Sequence, residues 1–75
     1  MRPETEKAYC EALAALKQKN YSEAVERFEI AALEYGTNNE FNLLYQSTRL
    51  LLEVKKELKA IARISLEEKE LIING

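Results

Sequence analysis

Beyond Gly36 this chain meets neither glycine nor proline until its final residue, Gly75, and before Gly36 the only interruption is Pro3. Tight turns and sheet bulges draw heavily on those two residue types, because glycine reaches left-handed backbone and proline pre-sets a bend. Their scarcity, together with an abundance of Ala, Leu, Glu and Lys and no run of Val or Ile, predicts an all-α fold. Seventy-five residues leave room for one domain, spanning 1–75. Its core must be thin, since a chain this short hides only about 60% of its unfolded surface. With 47% hydrophobic and 32% charged residues, the composition is nevertheless that of a globular protein and not of a disordered one.

Start and stop signals divide the chain into helices. Pro3, followed by Glu4 and Glu6, suits a first helical turn, where a missing N–H is harmless and acids face the positive end of the dipole. Tyr9, Leu13 and Leu16 recur at i, i+4, i+7, flanked by a small-residue stripe of Ala8, Ala12 and Ala15 that lets a neighbouring helix approach closely. Asn20 with Glu23 has the form of a capping box. A second helix therefore begins at about Tyr21, with inward positions Tyr21, Ala24, Val25, Phe28, Ala31, Ala32 and Tyr35, and Gly36 reads as a left-handed stop. Helices over about 4–18 and 21–35, joined by a few polar residues, make an antiparallel hairpin over 4–35.

Thr37, Asn38 and Asn39 offer caps before Phe41, and a long third helix follows over 39–64, about 38 Å at 1.5 Å per residue. Along it Leu44, Leu51 and Leu58 recur at seven, with Val54 and Ile61 between them and Ser47 as the polar exception. Ser65 with Glu68 is a further capping box. The chain either bends there into a short fourth helix over 66–73 or continues straight.

Several kinds of function lose their support. There is no histidine, hence neither the commonest general base nor the commonest metal ligand. Cys10 is the only cysteine, so no internal disulfide is expected, and with Glu6 and Glu11 nearby nothing pushes its thiol toward the reactive thiolate. Glu4 with Glu6, and Glu67 with Glu68 and Glu70, read as solvated helix faces, not as paired acids. No catalytic residue, metal site or cofactor is expected, and the chain does not read as an enzyme. The opening residues are too polar for a secretory signal and no apolar run approaches the roughly 18 residues of a membrane span, so a cytoplasmic location and no membrane contact are expected. A net charge of −2 argues against nucleic acid. Lys55, Lys59 and Arg63 do share one helix face, which reads as solvated and favoured by the helix dipole. Tyr9, Tyr21, Tyr35 and Tyr45 read as core-edge residues with wet hydroxyls.

The stretch Asn20-Tyr21-Ser22-Glu23-Ala24-Val25-Glu26-Arg27-Phe28-Glu29-Ile30-Ala31 resembles the second helix of a tetratricopeptide repeat. Tyr21, Ala24, Phe28 and Ala31 stand where that family places an aromatic, a small residue, an aromatic and a small residue, and Ala12 matches the small residue of the family's first helix. The pattern differs at Ala8 and Glu11, where the family prefers a large anchor and a leucine, and at Gly36, where it usually has proline. Residues 39–54 are similar to the first helix of a second repeat, with Phe41 and Leu44 as anchors, so the likeness covers one and a half repeats over about 5–52.

The resemblance implies a small protein–protein interaction module, an adaptor, chaperone or assembly factor, that presents a groove to a partner helix or peptide. The family's carboxylate-gripping positions fall on Tyr9 and Leu13, so an apolar groove of Tyr9, Leu13 and Leu16, facing Leu43, Ser47 or Leu50 and rimmed by Glu6 and Lys17, is expected instead. The alternative is a structural role: a helical module that forms a homodimer through Leu58, Ile61 and Ile64 at the end of the long helix, which a short hairpin cannot cover.

Overall fold

The computed structural model describes residues 2–74, with side chains for residues 2–67. Three helices make up the fold, α1 (Pro3–Lys17), α2 (Tyr21–Tyr35) and α3 (Asn39–Asn74), and among the described residues there is no strand. Pro3 opens α1 with Glu4 and Glu6 in its first turn. The Asn20 side chain accepts from the Glu23 N–H at 3.4 Å, and its amide donates to the Glu23 carboxylate at 3.0 Å. Here Glu23 closes the box on the capping side chain. Asn38 caps α3, accepting from the Phe41 N–H at 2.9 Å.

One expectation about the turns is corrected. Gly36 is not left-handed: its φ is −59°, and its N–H donates to the Ala32 carbonyl. The glycine is needed for a different reason, since a Cβ there would lie 2.7 Å from the Ala32 carbonyl oxygen. The left-handed residue is Lys19, with φ of 64°. Around it the Asn20 N–H reaches the Ala15 carbonyl at 2.9 Å and the Lys19 N–H the Leu16 carbonyl at 3.0 Å. That is the paired bonding of a Schellman turn, which satisfies the end of α1 with a lysine in the place usually held by glycine.

The alanines let α1 and α2 come together. Ala8, Ala12 and Ala15 of α1 and Ala24 and Ala31 of α2 are all buried, and without side chains beyond Cβ the two backbones approach at the close end of helix packing. Arg27 of α2 pairs with Glu11 of α1 at 3.3 Å on the rim. At the open end of the hairpin Glu34 accepts from the Arg2 N–H at 3.0 Å and from the Thr5 hydroxyl. The Thr5 hydrogen bond in particular holds the Glu34 carboxyl below its ordinary 4.5.

The third helix returns along α2. Phe41 is buried, and its ring centroid lies 5.8 Å from Phe28, 5.7 Å from Tyr9 and 6.0 Å from Tyr35, so one residue from α3 locks into an aromatic cluster built by the hairpin. One and two turns on, Tyr45 and Thr48 continue this face; the buried Thr48 hydroxyl is satisfied by the Leu44 carbonyl at 2.8 Å. At the far end Lys55 reaches the Lys19 carbonyl at 3.5 Å and stands 5.5 Å from the Tyr21 ring centroid. There the hairpin ends and the helix does not. It runs on through Ile64 and Ser65 to Asn74 without a break, so no separate helix forms over 66–73. The Glu68 side chain and Gly75 lie outside the described residues. The molecule measures 62 × 19 × 16 Å, and residues 56–74 extend about 28 Å past the hairpin turn at 1.5 Å per residue.

Candidate functional site

The wholly buried hydrophobic core of this protein is made of small and aromatic residues, with Leu16, Ile30 and Leu44 half-buried against it, while most large aliphatic side chains of α3 lie outside. Among the described residues the buried hydrophobics are five alanines with Phe28 and Phe41. Leu43, Leu50, Leu51, Val54, Leu58, Ile61, Ile64 and Leu66, all on α3, are exposed. The reason is a matter of register. The face of α3 that meets the hairpin carries Phe41, Tyr45, Thr48 and Leu52, whereas Leu44, Leu51 and Leu58, with Val54 and Ile61, form a second stripe beside it. At 100° per residue the two faces are adjacent quadrants of one helix. The first is set into the aromatic cluster, and of the second only its start, Leu44, packs half-buried against it.

The second stripe borders two openings. At its start a cavity of about 410 Å³ is lined by Glu6, Tyr9, Cys10 and Leu13 of α1, by Tyr35 and Asn38, and by Glu40 and Phe41 of α3. Glu40, Leu44, Ser47, Leu51, Val54 and Leu58 follow one another at i, i+4, i+7, i+11, i+14, i+18, so the stripe leads away from this cavity along one flank of α3. At its other end a second opening, about 420 Å³, is lined by Tyr21, Leu51, Val54, Lys55, Leu58, Lys59 and Ala62. The two openings share no lining residue; what relates them is the helical spacing of the stripe, which starts beside the first at Glu40 and reaches the second at Leu51. Around Tyr35 burial raises the phenol above its ordinary 10.0, with the Glu34 and Glu6 carboxylates adding to the shift.

Of the residues expected to form the groove, Tyr9 and Leu13 meet at the first cavity, with Glu6 on its rim as expected. Leu16 is half-buried against the core. Leu43 and Leu50, 71% and 67% exposed, do not line this cavity; Leu50 instead borders an opening with Val25 and Arg49 on the α2 side. Lys17 is likewise absent from the rim. Leu58, Ile61 and Ile64 lie on the extension beyond the hairpin, between 56% and 60% exposed. The hairpin-packing residues Ala12, Ala24, Phe28 and Ala31 are wholly buried and Tyr21 is half-buried. Phe41, Asn38, Glu40 and Cys10 were not foreseen as part of the groove. Phe41 had a signal, as the first aromatic after the caps, but its joint role in core and cavity needed the third helix to be placed.

Among the described residues no group of three or more His, Cys, Asp or Glu could hold a metal ion, and none of the helices is long and apolar enough to cross a membrane. The surface offers apolar contact edged by acids on one side, Glu6 and Glu40, and by Lys55 and Lys59 on the other. No family model, curated protein or solved structure matches the chain.

Proposed function

We propose that this protein is a small tetratricopeptide-like interaction module, without catalytic activity of its own, that works in the cytoplasm by taking an apolar helix into the groove between α1 and α3. The observation that carries this reading is the Tyr9–Leu13–Phe41 cavity, from whose edge at Glu40 the helical spacing of Leu44, Leu51 and Leu58 runs to a second apolar opening. An amphipathic helix with large side chains at i, i+3 or i+4, and i+7 matches such a strip, anchoring in both openings. Rim charges of opposite sign at the two ends would orient it and tune its rate of association.

Cys10 lines the first cavity and is exposed, which makes it a natural attachment point for a photo-cross-linker. Irradiation of the Cys10-labelled protein in native cytosol is expected to give a discrete adduct with a helical segment. Leu13→Glu should abolish that adduct and keep a cooperative thermal transition, because Leu13 is 39% exposed and a carboxylate there can remain hydrated. No adduct from the wild-type protein, or a Leu13→Glu variant that loses its cooperative transition, would count against the groove.

A further inference from the structure

Building on the groove above, we propose that the helix it receives is α3 of a second copy of the chain, laid antiparallel so that Leu44 meets Ile61 of the copy and Leu51 meets Val54. Three observations point to this occupant.

The first is area. Leu51, Val54, Leu58, Ile61 and Ile64 are 44% to 60% exposed. At roughly 100 Å² apiece they offer about 1,000 Å² over two copies, the size at which a specific interface begins, before any contribution from Tyr9 and Leu13. Ile64 also widens the seam beyond a narrow two-position strip, as suits a helix resting against more than one neighbour.

The second is that the stripe is its own complement when reversed. Turning α3 end for end about the point between Leu52 and Glu53 exchanges position 44 with 61, 47 with 58 and 51 with 54. The two interleaved sets of seven-residue repeats swap places, as antiparallel helices require, and Ser47, the small polar exception, falls opposite the larger Leu58. The same register brings residues 62–66 of the copy to the level of Phe41, where the cavity opens. Leu66, 63% exposed in the single chain, belongs to that segment.

Charge is the third. Lys56, Lys59 and Arg63 cluster on the extension around one shallow opening. A parallel pair would align both copies of this basic block at one level, with Lys55 beside them. The reversed pair sends the two blocks to opposite ends, so that they no longer stand at one level.

Sedimentation of the full chain should show a dimer at micromolar concentration. Leu58→Glu should weaken it by roughly 100-fold or more, since a carboxylate would be desolvated at the seam, and should leave helicity and the melting of the dilute protein unchanged. In a Cys10→Ser background, Leu44→Cys mixed with Ile61→Cys should form the mixed disulfide on mild oxidation in preference to either symmetric one. Symmetric disulfides alone would mean a parallel pair and overturn the proposal. A strict monomer up to ~100 µM, or a dimer indifferent to Leu58→Glu, would overturn it as well. If the monomer still yields a Cys10 adduct with another cytosolic helix, the groove stands and only its occupant is wrong; if no adduct forms with any chain, the groove falls too.

Discussion

Phe28 is wholly buried and Leu58 is 60% exposed, and between them they describe the two parts of this molecule. From Pro3 to Lys55 the helices are held together by alanines that allow close approach and by aromatic rings that fill the remaining space. From Lys56 to Glu67 the same helix continues, with leucine and isoleucine at helical spacing and nothing packed against them. Hydrophobicity alone would have ordered the two parts the other way, since leucine and isoleucine outrank alanine. What decided burial is fit. A core of small and aromatic residues is close-packed where the shapes agree, and past Leu44, which rests half-buried against it, the more apolar stripe stays outside because its side chains have no matching surface within the chain.

The sharpest test of that contrast is a matched pair of truncations. Phe28→Ala should cost about 3–5 kcal/mol, a large share of what a chain this size holds in total, and should show in a denaturant titration as a collapse of the transition midpoint. Leu58→Ala should shift the stability of the dilute protein by no more than ~0.5 kcal/mol. Equal effects would erase the distinction between the two parts. Ala24→Leu probes the close approach itself: added methylenes at a wholly buried position should overpack the hairpin at about 1–3 kcal/mol, and an unshifted melting curve would show that α1 and α2 have room to spare. The smallest effect is expected at the turn where the two parts meet. Lys19 holds a left-handed backbone that costs a side-chain-bearing residue about 1 kcal/mol, so Lys19→Gly should raise the melting temperature slightly, by a fraction of that amount once the greater freedom of unfolded glycine is offset. A lowered melting temperature would mean that the lysine side chain contributes more there than its backbone strain removes.

Helix boundaries were legible because they are local chemistry. Asn20 with Glu23, Asn38 before Phe41 and Pro3 at the first turn act over three or four residues and name their own partners, and the structure places caps and starts where those residues stand. The alanine stripe was legible for the same reason, since spacing alone puts Ala8, Ala12 and Ala15 on one face. Gly36 was misread because two different needs select glycine. A left-handed φ and a close approach to Ala32 look identical in a sequence, and Lys19, with no preference for left-handed backbone, gave no sign of adopting it.

The groove shows where local reading stops. Tyr9 and Leu13 could be assigned to it from α1 alone, whereas its facing wall was expected at Leu43 and Leu50 and lies instead at Glu40 and Phe41. A rotation of α3 by about one residue, some 100°, separates the two answers, and nothing within α3 chooses between them. By itself the chain determined three helices, their caps, the antiparallel hairpin and the two stripes on the long helix, all consequences of interactions a few residues apart. Which stripe turned inward was decided only when Phe41 met the rings of Tyr9, Phe28 and Tyr35, because the aromatic hollow that selects it is built by two other helices and exists in no single segment of the sequence.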